Sequence, residues 1–322
     1  MITKDLDQKF RKLFQDGKLV QIHISKWGMC CQLSENDLKL PEGQTLPAFF
    51  RLGKKMLIED DIRNAFTRLD VQARTYLKMN SHKFPIADAH FVPRKKIIEV
   101  LAQLNEFKEE YLTLTQGFIL GYEGYKANML AQFPSHTAII EPYYPAIQSL
   151  TERFAFSVSV FEVAVPQEFK ELSIAEVHAQ NETVDGLKER YQTQMQEQYK
   201  HALTQMDSFV KEAACSLRGQ LVEVFDNIAK KINNKEVLNV KNINSIRKII
   251  SDFDALEFFD DSVVKDKLQT VKALVDSTQD YRDNHGAIDK LRLALTEVIV
   301  VTKDMSDLDS MTGDYFRNID LD

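Results

Sequence analysis

Between residues 187 and 228 apolar side chains recur three or four positions apart: Leu187, Tyr191, Met195, Tyr199, Leu203, Met206, Val210, Ala213, Leu217, Leu221, Val224 and Ile228. Charged and amide residues fill the intervals, and no proline interrupts them. This spacing predicts one long amphipathic helix. At about 1.5 Å per residue such a helix runs roughly 60 Å, about twice the need of an ordinary domain, so its stripe requires an equally long partner helix or another subunit. Tyr191, Met195, Tyr199, Met206, Val210, Leu217 and Leu221 are the candidate partner interface, although an intramolecular core fits their spacing equally well.

The pattern elsewhere is also mainly helical. Leu6, Phe10 and Phe14 mark an opening helix that stops at Gly17. The period then changes to two, with Val20, Ile22 and Ile24 alternating with polar residues, which predicts a strand running on towards Leu33. A loop around Pro41, Gly43 and Pro47 leads to a helix over 61–79, followed by an irregular stretch, HKFPIADAHFVP. A second long helix is predicted from Pro93 to Phe133, where Gly117, Gly121 and Gly124 call for a bend or a close helix crossing. The second strand reads FAFSVSVFEVAVP, with an apolar phase shift at Phe161 that predicts a bulge or burial of both faces.

An isolated strand leaves its backbone polar groups unpaired, so residues 19–33 and 154–165 are expected to pair as a two-stranded ribbon. Shorter helices over 241–259, 262–279 and 284–303 read as a C-terminal bundle, and the end of the chain as an acidic tail. The expectation is a mostly α protein: a long antiparallel helical hairpin, a small two-stranded β ribbon and a C-terminal helical bundle. Its segments are 1–92 (helix, strand and basic helical region), 93–235 (hairpin with the second strand), 236–303 (bundle) and 304–322 (tail).

Composition agrees. Gly and Pro together number 19 in 322 residues while Lys, Glu, Gln and Leu are plentiful, the bias of bundles and coiled coils. The cysteines Cys30, Cys31 and Cys215 are odd in number and include a vicinal pair, which favours a reducing compartment. The charged N-terminus is unlike a secretory leader, and no apolar run matches a membrane span, so a cytoplasmic protein is expected. The net charge of -7 is unevenly spread: Pro47 to Lys96 carries eleven Lys or Arg against five Asp or Glu, whereas Ser251 to Asp322 carries eight against seventeen. The basic stretch offers Lys54, Lys55, Arg63, Arg68, Arg74 and Lys78 as candidate phosphate contacts for nucleic acid, while the acidic total opposes such binding.

Catalytic patterns are sparse. Arg51, Leu52, Gly53, Lys54 and Lys55 supply one glycine, too few for a phosphate loop. His82, His90 and Asp88 form the nearest approach to a metal cluster, and ordinary loop histidines explain them better. Cys30 and Cys31, adjacent on a strand, point to opposite faces. Paired acids such as Glu109 with Glu110 and Asp60 with Asp61 read as wet helix faces and helix N-terminal charges. No metal or cofactor is expected, nor an enzymatic function. A membrane tongue formed by Phe154 to Val165 is the weaker alternative to a buried strand.

The strand ending in Lys26, Trp27 and Gly28, the LPAFFRLGKKML segment, the FPIADAHFVP stretch opening a long helix and the RFAFSVSVFEVAVP strand together resemble the uncharacterised domain-of-unknown-function 3150 family over about residues 18–235. The resemblance implies a protein of bacteria, plasmids, integrative elements or phages that accompanies MoxR-type AAA+ ATPases and von Willebrand A domain proteins. It implies no activity and assigns no residue a role. The functional expectation is a non-enzymatic helical scaffold or adaptor that self-assembles or docks such a partner.

Overall fold

A computed structural model describes residues 2–38, 46–47, 49–164, 182–277, 281 and 284–317, with backbone alone over 2–5 and 182–196. The loop at Pro41 and Gly43, Val165, the side chains of Leu187, Tyr191 and Met195, and the last residues of the tail lie outside the described residues. The chain is mainly helical, with small antiparallel sheets. It divides into two compact units that are discontinuous in sequence: residues 1–20, 80–98 and 160–322 in the first, and 21–79 and 99–159 in the second. This differs from the contiguous segments expected, because strand pairing and helix packing join stretches far apart in the chain.

In the first unit α1 (Ile2–Asp16) buries Leu6, Phe10, Leu13 and Phe14. The chain then enters β1 (Gly17–Ser25), whose opening residues pair antiparallel with β5 (His90–Pro93), Gly17 opposite Pro93 and Val20 opposite His90. Glycine is required at the junction, since a Cβ there would lie 2.4 Å from the Phe91 ring and 2.5 Å from the Val92 carbonyl oxygen. β5 pairs in turn with β4 (His82–Lys83). The stretch read as irregular is thus a hairpin, turned through Ala87 and Asp88 at φ 62° and 45°.

The long helix α6 (Glu182–Asn233) extends beyond the expected bounds at both ends. From Met206 onward its stripe is buried, and it packs on α1, α7 (Val240–Leu256), α9 (His285–Lys303) and α10 (Leu308–Arg317). Helix α8 (Ser262–Asp276) lies against α7 and α9. The Pro93 helix, expected as the partner of α6, falls mostly in the second unit.

Side chains set the helix boundaries. Asn239 and Asn242 form a reciprocal capping box at α7, Asp261 caps α8, and Asn284 caps α9. α6 ends in a Schellman turn: the Glu236 N–H donates to the Lys231 carbonyl and the Lys235 N–H to Ile232, with Lys235 at φ 60°. Glycine tolerates that conformation better than lysine. Lys235→Gly is therefore expected to raise the denaturation midpoint, by the equivalent of about 0.5–1 kcal/mol, in a urea titration.

The acidic tail is corrected in part. Residues 308–317 form α10, with Leu308, Thr312, Tyr315 and Phe316 buried. The Tyr315 hydroxyl donates to Asp16 at 2.9 Å, and burial raises its pKa.

In the second unit β1 continues and has β6 (Ala155–Phe161) as its neighbour in the sheet order β4-β5-β1-β6. The two strands expected to pair are therefore adjacent, within a four-stranded sheet rather than a two-stranded ribbon. A separate antiparallel pair joins β2 (Cys30–Gln32) and β3 (Lys54–Met56), which also escaped the sequence reading. α2 (Asp60–Met79) buries Phe66, Leu69, Ala73 and Leu77. α3 (Ile97–Gln132) buries Val100, Leu104, Tyr111, Phe118, Tyr122 and Met129, and the short helices α4 (Thr137–Ile140) and α5 (Ile147–Thr151) follow.

The core of this unit is aromatic. The Phe66 ring meets Tyr111, Phe118 and Phe154 at 5.1–5.8 Å, and Trp27 meets Phe118, Tyr122 and Tyr144 at 6.0–6.5 Å. The hydroxyls of buried Tyr111 and Tyr122 and of half-buried Tyr144 find backbone acceptors: Tyr111 donates to Ser25 at 2.6 Å, Tyr122 to Pro145 at 2.8 Å, and Tyr144 to Leu57. Burial pushes the Tyr122 and Tyr144 hydroxyls up to about 12.

Candidate interaction surfaces

The α6 stripe is consumed by the chain's own core. Met206, Val210, Leu217 and Leu221 are buried against neighbouring helices of the first unit, and Tyr199 is half-buried against the same cluster. Met206, Val210, Leu217 and Leu221 offer no surface to a partner in this fold, Tyr199 offers part of its side chain, and Tyr191 and Met195 lie outside the described side chains. The correction has a simple cause. A stripe shows that a helix face must be covered, while α1, α7, α9 and α10 together do the covering.

On that buried face sits Arg218, fully excluded from solvent. Its Nε and Nη2 grip the two oxygens of Asp261 at 2.8 and 3.0 Å, while Nη1 and Nη2 reach Asp307 at 2.8 Å and Nη1 also the Asp304 carbonyl at 2.8 Å. Every N–H of the fork thus has an acceptor. Arg218 also holds the Asp307 carboxyl below its usual range. Buried Glu257 accepts the Asp261 N–H at 3.2 Å and pairs with Lys265 at 2.6 Å. The sequence carried one unused signal: Arg218 lies four residues after Ala214 and three before Leu221, on the apolar face, where a charge requires buried carboxylates.

The histidines and Asp88 serve different partners. His82 is buried, donating from Nε2 to the Leu256 carbonyl at 3.0 Å, and His90 Nδ1 bonds the Ser81 hydroxyl at 2.9 Å. Asp88 stands on the exposed hairpin turn, 3.9 Å from Lys83. Among the described residues no group of three His, Cys, Asp or Glu could hold a metal. Burial lowers the pKa of His82. The unfolded chain protonates near pH 6.5 while the folded chain stays neutral, so stability falls as pH drops below that value, by about 1.4 kcal/mol per pH unit until the folded pKa is reached. His82→Gln, which keeps a donor for Leu256, is expected to flatten the slope of stability against pH between about 6.5 and 5 relative to wild type.

The basic stretch of the second unit is largely neutralised locally. Lys55 is only 7% exposed, donates to Asp37 at 2.7 Å and lies 3.9 Å from the Tyr143 ring centre. Its ammonium, with the Ser34 donors, holds Asp37 down at about 2. Arg63 pairs with Asp60 at 2.7 Å and Arg74 with Asp70 at 2.6 Å. Lys54, Arg68 and Lys78 are exposed. The basic count therefore overstated the charge presented to a polyanion, because helix-neighbour acids were already within reach. Cys30 and Cys31 are free and half-buried on β2.

The tongue reading is corrected too, since Phe154 and Phe156 are buried in the aromatic core. The phase shift at Phe161 is structural: beyond it, Phe161 and Val163 pack against the core cluster of the first unit. No helix of the described residues is long and apolar enough to cross a membrane.

Apolar surface remains exposed on α3. Leu120 is 88% and Leu112 41% exposed. A Cβ added at Gly117 or Gly124 would meet nothing within 4 Å, and at Gly121 it would lie 2.8 Å from the Tyr125 ring. The glycines thus leave an open helix flank beside Leu120.

The chain matches the family described as "Protein of unknown function (DUF3150)" over residues 15–306. No curated protein and no solved structure matches it.

Proposed function

Since the chain belongs to the DUF3150 family of proteins of unknown function, we propose that it is a non-enzymatic helical adaptor acting in the cytoplasm, docking a protein partner or a second copy of itself. The resemblance makes a MoxR-type AAA+ ATPase, with a von Willebrand A domain protein, the partner of first choice. One observation carries this reading: the α3 flank where Leu120 is exposed one turn from both Gly117 and Gly124, whose missing side chains let another helix backbone come close. Coiled-coil association and a distinct C-terminal bundle belong to the same proposal, supported by the helical periodicity of α3 and α6 and by the packing of α6 on α7 and α9.

The test is co-expression with a MoxR-type ATPase of the same host, followed by size-exclusion chromatography with light scattering. Leu120→Glu, at an exposed position, is expected to leave the melting temperature within about 2 °C and to weaken assembly at least tenfold. A monomer that binds no such ATPase would end the adaptor reading.

A further inference from the structure

The turn that leads into β3 carries two aromatic rings in the open. Phe49 is 82% and Phe50 58% exposed, their ring centroids 5.0 Å apart. The Phe50 N–H donates to the Pro47 carbonyl at 2.9 Å, which sets both rings on one tight turn. Arg51 and Lys54 follow immediately, both exposed and without an ion pair among the described residues. A lone surface phenylalanine needs no explanation, whereas two in contact beside two exposed cations form a patch with defined chemistry.

Three receptors suit exposed rings and cations, and the geometry separates them. Single-stranded nucleic acid stacks on open ring faces along a cationic track. Here the rings are tilted by 35° to one another, and the cationic track is cut short because the next cation, Lys55, is committed to Asp37. A protein groove requires a preformed concave counterpart. A bilayer interface accepts a convex apolar tip of any outline, and cations set just behind the rings meet lipid phosphates at headgroup level. We infer that the Phe49–Phe50 turn is an interfacial wedge, seating the second unit on an anionic bilayer with Arg51 and Lys54 against the headgroups. The contact is peripheral and independent of the adaptor reading. The chain's net charge of -7 does not oppose it at close range, because screening limits each charge to a Debye length of about 8 Å.

Co-sedimentation of the full chain with phosphatidylcholine vesicles, with and without about 30% phosphatidylserine, tests the inference. Wild type is expected to pellet with the anionic vesicles and less with neutral ones. The double variant F49S/F50S is expected to lose binding by at least about a hundredfold. R51Q/K54Q is expected to reduce the preference for anionic vesicles by about thirtyfold while keeping the residual neutral binding. These side chains are exposed, so unchanged thermal midpoints by circular dichroism establish that both variants fold. The inference is overturned if wild type stays in the supernatant, or if folded F49S/F50S pellets like wild type. Capture of a fluorescent oligo-dT through the same phenylalanines, with no vesicle binding, would instead make the turn a base-stacking platform.

Discussion

Arg218→Met is expected to lower stability by about 3–5 kcal/mol, read as a shift of the urea midpoint. The substitution removes the guanidinium that joins α6 to the α8 cap and to the loop before α10, and strands Asp261, whose side chain is 1% exposed. Asp307, with a side chain 42% exposed, regains water, so the larger share of the loss belongs to Asp261. The triple variant Arg218→Met, Asp261→Asn, Asp307→Asn should recover much of the loss, because asparagine still caps a helix and no unpaired charge is left inside. A single-variant cost below about 1 kcal/mol would show that solvent already reaches the cluster.

Phe209→Ala is expected to cost about 3–5 kcal/mol. This ring, buried on α6, lies 5.3 Å from Phe84, 5.6 Å from Phe91 and 5.9 Å from Phe258, with His82 at 6.4 Å. It therefore ties the β4–β5 hairpin and the segment before α8 to the long helix. Hydrogen exchange should show the amides of residues 82–93 losing protection ahead of those in α9. Uniform loss across the unit would mean that the hairpin is not a separately yielding element.

Legibility in the sequence tracks periodicity. α2, α3 and α6 to α9 each repeat their apolar positions over several turns, and all were readable. The last helix, α10, was not, because its acidic composition masked a short face of Leu308, Thr312, Tyr315 and Phe316, spaced at i, i+4, i+7 and i+8. Two-residue β4 and three-residue β2 and β3 are too short to show alternation; their register comes from the strands they pair with, across a tight hairpin for β4 and across about twenty residues for β2 and β3. The α6 stripe was readable as a face needing cover but not as a face already covered, since its neighbours are set by tertiary packing. The Phe49–Phe50 turn was present in the letters as well, yet adjacent phenylalanines read as core until their exposure is known.

The bond from Tyr315 to Asp16 spans 299 residues. During synthesis α1 therefore emerges long before the helix that completes its surroundings, and its greasy face must wait, guarded or loosely collapsed, until α10 leaves the ribosome. Nicks or stops ahead of α10 should thus be felt at α1, and a chaperone's window of need lasts for the synthesis of the residues between them.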